Sequence, residues 1–239
     1  VPIRAVLWDV DDTLFDYTGS DRAGALRHLT DEGLLTQYAS AEAALERWRV
    51  VMEEQFARFL AGELGFMEHR RERARGFLGK TMSDAEADAW FGRYIAHYEA
   101  AWTLFPDVVP ALDALADGYR HGVLSNSSAV NQERKLRALG IRDRFEVLVC
   151  ADEIRCAKPA AEAFQAACTA MGLAPGEVAY VGDQLDTDAQ GAEAAGLLGV
   201  WLDRTCTGGG ERAGRITDLA ELPAVLAKSA PLPSGLRLR

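Results

Sequence analysis

The sequence predicts an α/β fold, a parallel sheet layered with helices and interrupted early by an all-helical insertion. Short apolar runs recur along the chain with helical patterns between them, an alternation that implies parallel strands joined by covering crossovers. The first of these runs ends in a cluster of carboxylates, and no run between about residues 17 and 102 reads as a strand.

The elements follow in order. Ala5-Val6-Leu7-Trp8-Asp9-Val10 is a short apolar run and reads as a buried first strand. Similar runs at Gly122–Ser125, Phe145–Val149, Val178–Val181 and Gly199–Leu202 predict the later strands. Between them, Pro110–Gly118 carries Leu112 and Leu115 at helical spacing, and Asn131–Leu139 carries Leu136 and Leu139 before Gly140. Ala160–Met171 carries Phe164, Ala167 and Cys168 before Gly172, and Asp188–Ala195 is Ala-rich and stops at Gly196. The insertion reads as four helices, Ser20–Glu32, Ala41–Ala61, Phe66–Leu78 and Ser83–Ala101. In the second, Ala41, Leu45, Trp48, Met52, Phe56 and Phe59 recur every three or four residues, so Met52, Phe56 and Phe59 are expected in the core of the insertion. In the fourth, Ser83 precedes Glu86 by three residues, the pattern of a capping box. Thr207–Gly210 reads as a flexible turn, and Pro231–Arg239 as a frayed or surface-lying tail. The fold class is thus a Rossmann-like parallel sheet core with an inserted all-helical domain.

Composition narrows the functions. Hydrophobic residues make up 49% and charged residues 26% of 239, ordinary globular values that exclude a disordered or collagen-like chain. A net charge of −10 argues against nucleic acid or an anionic membrane as partner, since both repel an acidic surface. No apolar run approaches the ~18 residues of a membrane span, and the N-terminus lacks a secretory pattern, so a cytoplasmic location is expected. Cys150, Cys156, Cys168 and Cys206 form no C-x-x-C pair and stand apart from the histidines, which predicts reduced, mostly buried thiols and no zinc site.

The chemistry concentrates where strands end. Asp9-Val10-Asp11-Asp12-Thr13 closes the first strand, where open α/β sheets bind their ligands. In extended chain Asp9 and Asp11 project to the same side. Acids so crowded repel one another unless a cation or proton sits among them. Gly182-Asp183 closes another strand and leads to Asp186 and Asp188; Gly182 would admit close approach and Asp183 would face the same crevice as Asp9. Carboxylates from separate strands, with positions left for water and phosphate, suit Mg²⁺. One of Asp186 and Asp188 has the simpler alternative of capping a helix. Ser125, with Asn126 after it, ends the second core strand and could hold phosphate oxygens or merely cap the next helix. Lys158-Pro159 follows the third core strand, where Pro159 suits a first helical turn and Lys158 can point inward.

In this order, D-x-D-x-T-L from Asp9, Ser125, Lys158-Pro159 and G-D-x-x-x-x-D from Gly182 resemble the four motifs of the haloacid dehalogenase-like (HAD) hydrolase superfamily. The likeness spans the chain, since the insertion is similar to that family's small helical cap. It implies a catalytic core of residues 1–16 and 103–239 and a cap of 17–102. It also implies an Mg²⁺-dependent phosphomonoesterase working through an aspartyl phosphate. Asp9 would be the nucleophile, and Asp11 would protonate the leaving alkoxide and then activate water. Thr13 would steady the loop, Ser125 and the Asn126 N–H would hold phosphate oxygens, and Lys158 would offset negative charge. Asp9, Asp183 and the backbone carbonyl of Asp11 would bind Mg²⁺, with Asp188 orienting a metal-bound water or Lys158. Family members that displace halide lack the second Asp, so Asp11 favours phosphate transfer over dehalogenation. A dehalogenase, a phosphomutase, or a non-catalytic scaffold on the same fold are the alternatives. The expected partner is a small phosphorylated metabolite, a nucleotide or a sugar phosphate, taken by a monomer or homodimer. Many family phosphatases have Gly where this chain has Asp12, and Gly191 and Gly196 resemble the family's pattern for close helix packing. Leu14, Phe15 and Tyr17 are expected to line the entrance, with hinges near Leu14–Thr18 and Thr103–Pro106. The basic run His69–Arg75 is expected to be a solvated helix face, with one arginine reading a substrate anion as the sharper alternative.

Overall fold

A computed structural model describes residues 2–206 and 214–228 of the chain. The glycine run from Thr207 and the tail from Pro231, singled out above, lie outside the described residues. The chain divides into two compact units, Val1–Phe15 with Leu104–Arg239, and Asp16–Thr103.

The first unit is a parallel sheet with helices between its strands. Its strands are β1 (Ala5–Trp8), β2 (Arg120–Ser125), β3 (Val147–Cys150), β4 (Val178–Gly182), β5 (Leu198–Leu202) and β6 (Arg215–Ile216). They lie in the order β3-β2-β1-β4-β5-β6, every pair parallel. All four residues of β1 are fully buried, as a central strand covered on both faces requires. That is why the run reads as continuously apolar rather than alternating. Each buried Leu, Val or Phe contributes about 1.5–3 kcal/mol, and this core supplies many of them. The chain turns from β1 towards β2 on one side and reaches β4 on the other, so the carboxyl end of β1 is the switch point of the sheet.

The second unit is all-helical. It holds α1 (Tyr17–Asp31), α2 (Ala41–Leu60), α3 (Phe66–Leu78) and α4 (Asp84–Ala100). Ser40 caps α2 through the Ala43 N–H. Ser83 and Glu86 form the expected capping box on α4, and Gly79 closes α3 at φ +61°. The centre is aromatic. Trp48 lies against Tyr94 at 4.6 Å between ring centroids, and His28 against Trp90 at 4.4 Å.

The remaining helices belong to the first unit: α5 (Val108–Leu115), α6 (Ala129–Ala138), α7 (Ala151–Ile154), α8 (Ala161–Met171), α9 (Gly191–Ala194) and α10 (Leu222–Lys228). Sequence and structure part at several points. The first strand stops at Trp8 rather than Val10, because the chain turns there: the Thr13, Leu14 and Phe15 N–H groups all donate to the Val10 carbonyl. The helix expected from Asp188 to Ala195 is instead a wide, π-type turn over Leu185–Gln190 followed by the single turn of α9. Leu14 and Phe15 are fully buried core residues and do not line an entrance. Phe56 is 39% exposed rather than part of the insertion's core. The buried face of α2 runs through Ala44, Leu45, Trp48, Val51, Met52 and Gln55, a three-and-four spacing that leaves Phe56 on its flank. The basic run is only partly a solvated face. His69 is buried, Arg71 pairs with Asp84 and Asp88, and Arg75 pairs with Glu72 and Asp84. The cysteines are all free, as expected, but only Cys150 and Cys168 are buried, and Cys206 is exposed. No described helix is long and apolar enough to cross a membrane.

Candidate active site

Strand register decides which side chains meet. Trp8 pairs with Val123 of β2 and Val181 of β4, and the Asp9 N–H extends the β4 ladder by donating to the Val181 carbonyl at 2.9 Å. Asp9, Ser125 and Asp183 therefore emerge at one end of neighbouring strands. Lys158 arrives from the loop that follows β3 and the short α7. Its backbone is fastened by Asn126, whose amide donates to the Lys158 carbonyl at 2.9 Å and accepts from the Lys158 N–H at 2.7 Å.

The Lys158 ammonium is the hub. It donates to Asp9 Oδ1 at 2.8 Å, to Asp188 Oδ1 at 2.7 Å and to the Tyr180 hydroxyl at 2.5 Å, all buried. Tyr180 in turn donates to the Leu124 carbonyl at 3.0 Å. Asp188 Oδ2 accepts from the Gln184 N–H at 2.9 Å, so each of its oxygens takes a hydrogen bond, which fixes the carboxylate. Gly182 is what lets Asp188 sit there: a Cβ on Gly182 would lie 2.4 Å from the Asp188 carboxyl. Asp186 is exposed, so the geometry selects Asp188 as the second acid of this motif.

Asp9, Asp183 and Asp188 each offer a carboxylate oxygen within 4.8 Å of the others, a group able to hold a metal ion. Burial pushes the Asp9 carboxyl up to about 7, against the pull of Lys158 and with the repulsion of Asp188 and Asp11. Burial and the nearby Asp9, Asp188 and Asp12 push Asp183 up to about 8. Burial alone would lower the Lys158 ammonium, but Asp188 and Asp9 outweigh it and raise it. One ammonium thus faces three crowded carboxylates, and Asp183 receives only a long 3.5 Å contact from the Thr13 hydroxyl among the described residues. Such a surplus of hard oxygen donors fits a divalent cation of the Mg²⁺ kind.

Other predicted residues sit differently. The Asp11 carboxylate does not join the group of three. It turns to helix α6, where the Lys135 ammonium pairs with Oδ1 and the Gln132 amide donates to Oδ2 at 2.7 Å. Thr13 is fully buried, its hydroxyl aimed at Asp183. Ser125 is buried, and its hydroxyl accepts from the Gln132 amide at 3.0 Å. The helix cap is Ser128, not Ser125. Asp12 adopts φ +59°, the left-handed region that Gly enters freely and Asp, among side chains, tolerates better than most. Gly191 packs against Pro159 and Phe164, where a Cβ would stand 3.0–3.1 Å away.

Residues 3–196 match the family described as haloacid dehalogenase-like hydrolase. The chain belongs to the haloacid dehalogenase-like hydrolases. It is 31% identical to a glyceraldehyde 3-phosphate phosphatase of Methanopyrus kandleri over 209 residues, 84% of each chain. It is 28% identical to the human N-acylneuraminate-9-phosphatase, over 84% of this chain and 83% of that one. Its fold is that of the HAD hydrolase YfnB of Bacillus subtilis, solved with magnesium, at a TM-score of 0.80 and 19% identity, covering 95% of this chain and all of the other. This HAD-like hydrolase is therefore an enzyme whose curated relatives include phosphatases.

The sequence reading missed Gln132, Lys135 and Tyr180. Gln132 and Lys135 are 0% and 3% exposed, although they stand in the charged stretch Gln132-Glu133-Arg134-Lys135 that reads as solvated helix. Their spacing of three beside Leu136 was the available signal, since it puts both on the helix face that carries the apolar contact.

Proposed function

We propose that this HAD-like hydrolase is a magnesium-dependent phosphomonoesterase acting on a small phosphorylated metabolite through an aspartyl phosphate on Asp9. The observation that carries the proposal is the group of buried Asp9 and Asp188 and half-buried Asp183 around Lys158, with Asp11 on its own donors. Every residue of the group lies in the unit of residues 1–15 and 104–239, read here as the catalytic core, with residues 16–103 as cap.

In this reading an Asp9 oxygen forms a bond to phosphorus as the ester P–O bond breaks, and Asp11 gives its proton to the departing alkoxide. Water then attacks phosphorus, Asp11 takes the proton, and the bond to Asp9 breaks to release phosphate. Lys158 lowers the repulsion between anionic nucleophile and anionic ester, the main assistance phosphoryl transfer can receive. Asp9, Asp183 and Asp188 would hold Mg²⁺, which supplies further charge neutralisation at the phosphate. Ser125 and the Asn126 N–H are assigned to phosphate oxygens, and Thr13 to steadying the loop. The relatives' phosphorylated small molecules support the same substrate class.

The test is phosphate release from a panel of nucleoside monophosphates, sugar phosphates and phosphoglycolate, with and without EDTA, beside Asp9→Asn. Release that needs the metal and disappears in the variant is expected. Release that persists in Asp9→Asn removes Asp9 from its role.

A further inference from the structure

Asp11 is held by two donors from one turn of α6. The Lys135 ammonium pairs with its Oδ1 and lies 4.3 Å from the centroid of the Phe15 ring. The Gln132 amide nitrogen donates to its Oδ2 at 2.7 Å and, at 3.0 Å, to Ser125 Oγ. Asp9 and Asp11 are two residues apart, yet each has a buried lysine of its own. With donors on both oxygens, the Asp11 carboxyl is held in one rotamer.

This arrangement carries a cost in stability. Because Gln132 must turn its amide nitrogen to Asp11, its Oε1 is left buried without a partner among the described residues. An orphaned buried carbonyl costs about 1–3 kcal/mol, and an apolar side chain of the same shape would avoid it. Lys135 is buried with a partner whose side chain is 30% exposed. Replacing a whole buried ion pair by apolar side chains is often neutral or stabilising, whereas removing one partner leaves the other's charge unpaired. Asp11 keeps its access to water when it is left alone.

We propose that Gln132 and Lys135 are positioning residues that aim Asp11 in the hydrolysis of the phosphoenzyme. In that step the water oxygen bonds to phosphorus, its proton passes to the Asp11 carboxylate, and the phosphorus–oxygen bond to Asp9 breaks to give phosphate and free Asp9. The inference rests on the roles of Asp9 and Asp11 proposed above.

The experiment uses the full chain with Mg²⁺ and p-nitrophenyl phosphate, comparing wild type, Gln132→Leu and Lys135→Met. Nitrophenolate leaves without a proton, so kcat/KM, which reports transfer to Asp9, is insensitive to how Asp11 is aimed. The expectation is that kcat falls about tenfold or more while kcat/KM stays within about threefold, as the second step becomes limiting. A burst approaching one nitrophenolate per chain should accompany this, with an unfolding midpoint of Gln132→Leu equal to or above wild type. Lys135→Arg should recover part of the lost kcat. Should Lys135→Met fail to fold, Gln132→Leu, which leaves the ion pair in place, carries the test.

Equal falls in kcat and kcat/KM, or full kcat in both variants of an active, Asp9-dependent enzyme, overturn this inference alone. A wild type inert on every ester, or an Asp9→Asn variant as active as wild type, overturns the phosphatase reading and this inference with it.

Discussion

The Lys158 ammonium stands 2.8 Å from a carboxylate oxygen of Asp9, a residue 149 positions away, and both are buried. The same nitrogen reaches Asp188 at 2.7 Å. Lys158 therefore ties Asp9, just after β1, to Asp188, in the turn after β4. Lys158→Met should lower kcat about 10²-fold or more, the scale for losing a charge-stabilising group. It should also destabilise the fold by about 3–5 kcal/mol near neutral pH, because buried carboxylates lose their partner. Steady-state kinetics and thermal unfolding check both parts.

Gly182 offers a finer probe. Gly182→Ala places a methyl carbon where the Asp188 carboxyl now is, at 2.4 Å. Asp188 must shift and release Lys158, while β4 keeps its pairings. The expected outcome is a loss of about 10²-fold in kcat, typical of an ångström-scale displacement at a reacting centre. Circular dichroism should be unchanged.

Metal binding should show without turnover. The surplus of carboxylates around Asp9, Asp183 and Asp188 predicts that Mg²⁺ raises the unfolding midpoint. A concentration 100-fold above the dissociation constant contributes about 2.7 kcal/mol. Asp183→Asn removes one donor and one charge and should abolish most of this shift in a thermal-shift titration.

Acid should weaken the helical unit. His28 is 1% exposed among Trp48, Trp90 and Tyr94, with neither ring nitrogen hydrogen-bonded among the described residues. Burial holds its imidazole down at about 4, against 6.5 in the unfolded chain. The unfolded state therefore binds the proton first, and stability present above pH 6.5 is lost as pH falls towards 4. The loss from this group is up to roughly 3 kcal/mol. His69, held at about 3 by burial and Arg73, acts in the same direction. Denaturant unfolding between pH 7 and 4 should show His28→Leu losing less stability than wild type.

Most of the sheet was legible because its strands are buried on both faces and therefore continuously apolar. Strand β6 was not, since Arg215–Ile216 is two residues long and half polar. Helix α10 was missed although Asp218 and Glu221 form a capping box before Leu222 and Leu226, a signal the sequence does carry. In the site, Asp9, Lys158, Asp183 and Asp188 could be read because acids at strand ends have few structural uses. Asp11 pointed elsewhere than expected, because the chain leaves extended geometry after Trp8 and the two-residue periodicity lapses. Lys135 and Gln132 stayed hidden in a charged helical segment whose burial depends on how α6 packs.

The most direct measurement is of the covalent intermediate. Wild type and Asp9→Asn are mixed with a phosphomonoester labelled on phosphorus, with Mg²⁺ present, quenched in acid within the first turnover, and the labelled peptide is identified. Label on Asp9 in the wild type, labile to hydroxylamine and absent from Asp9→Asn, is the predicted result. Turnover of the ester with no label at Asp9, or with label on another residue, would contradict it.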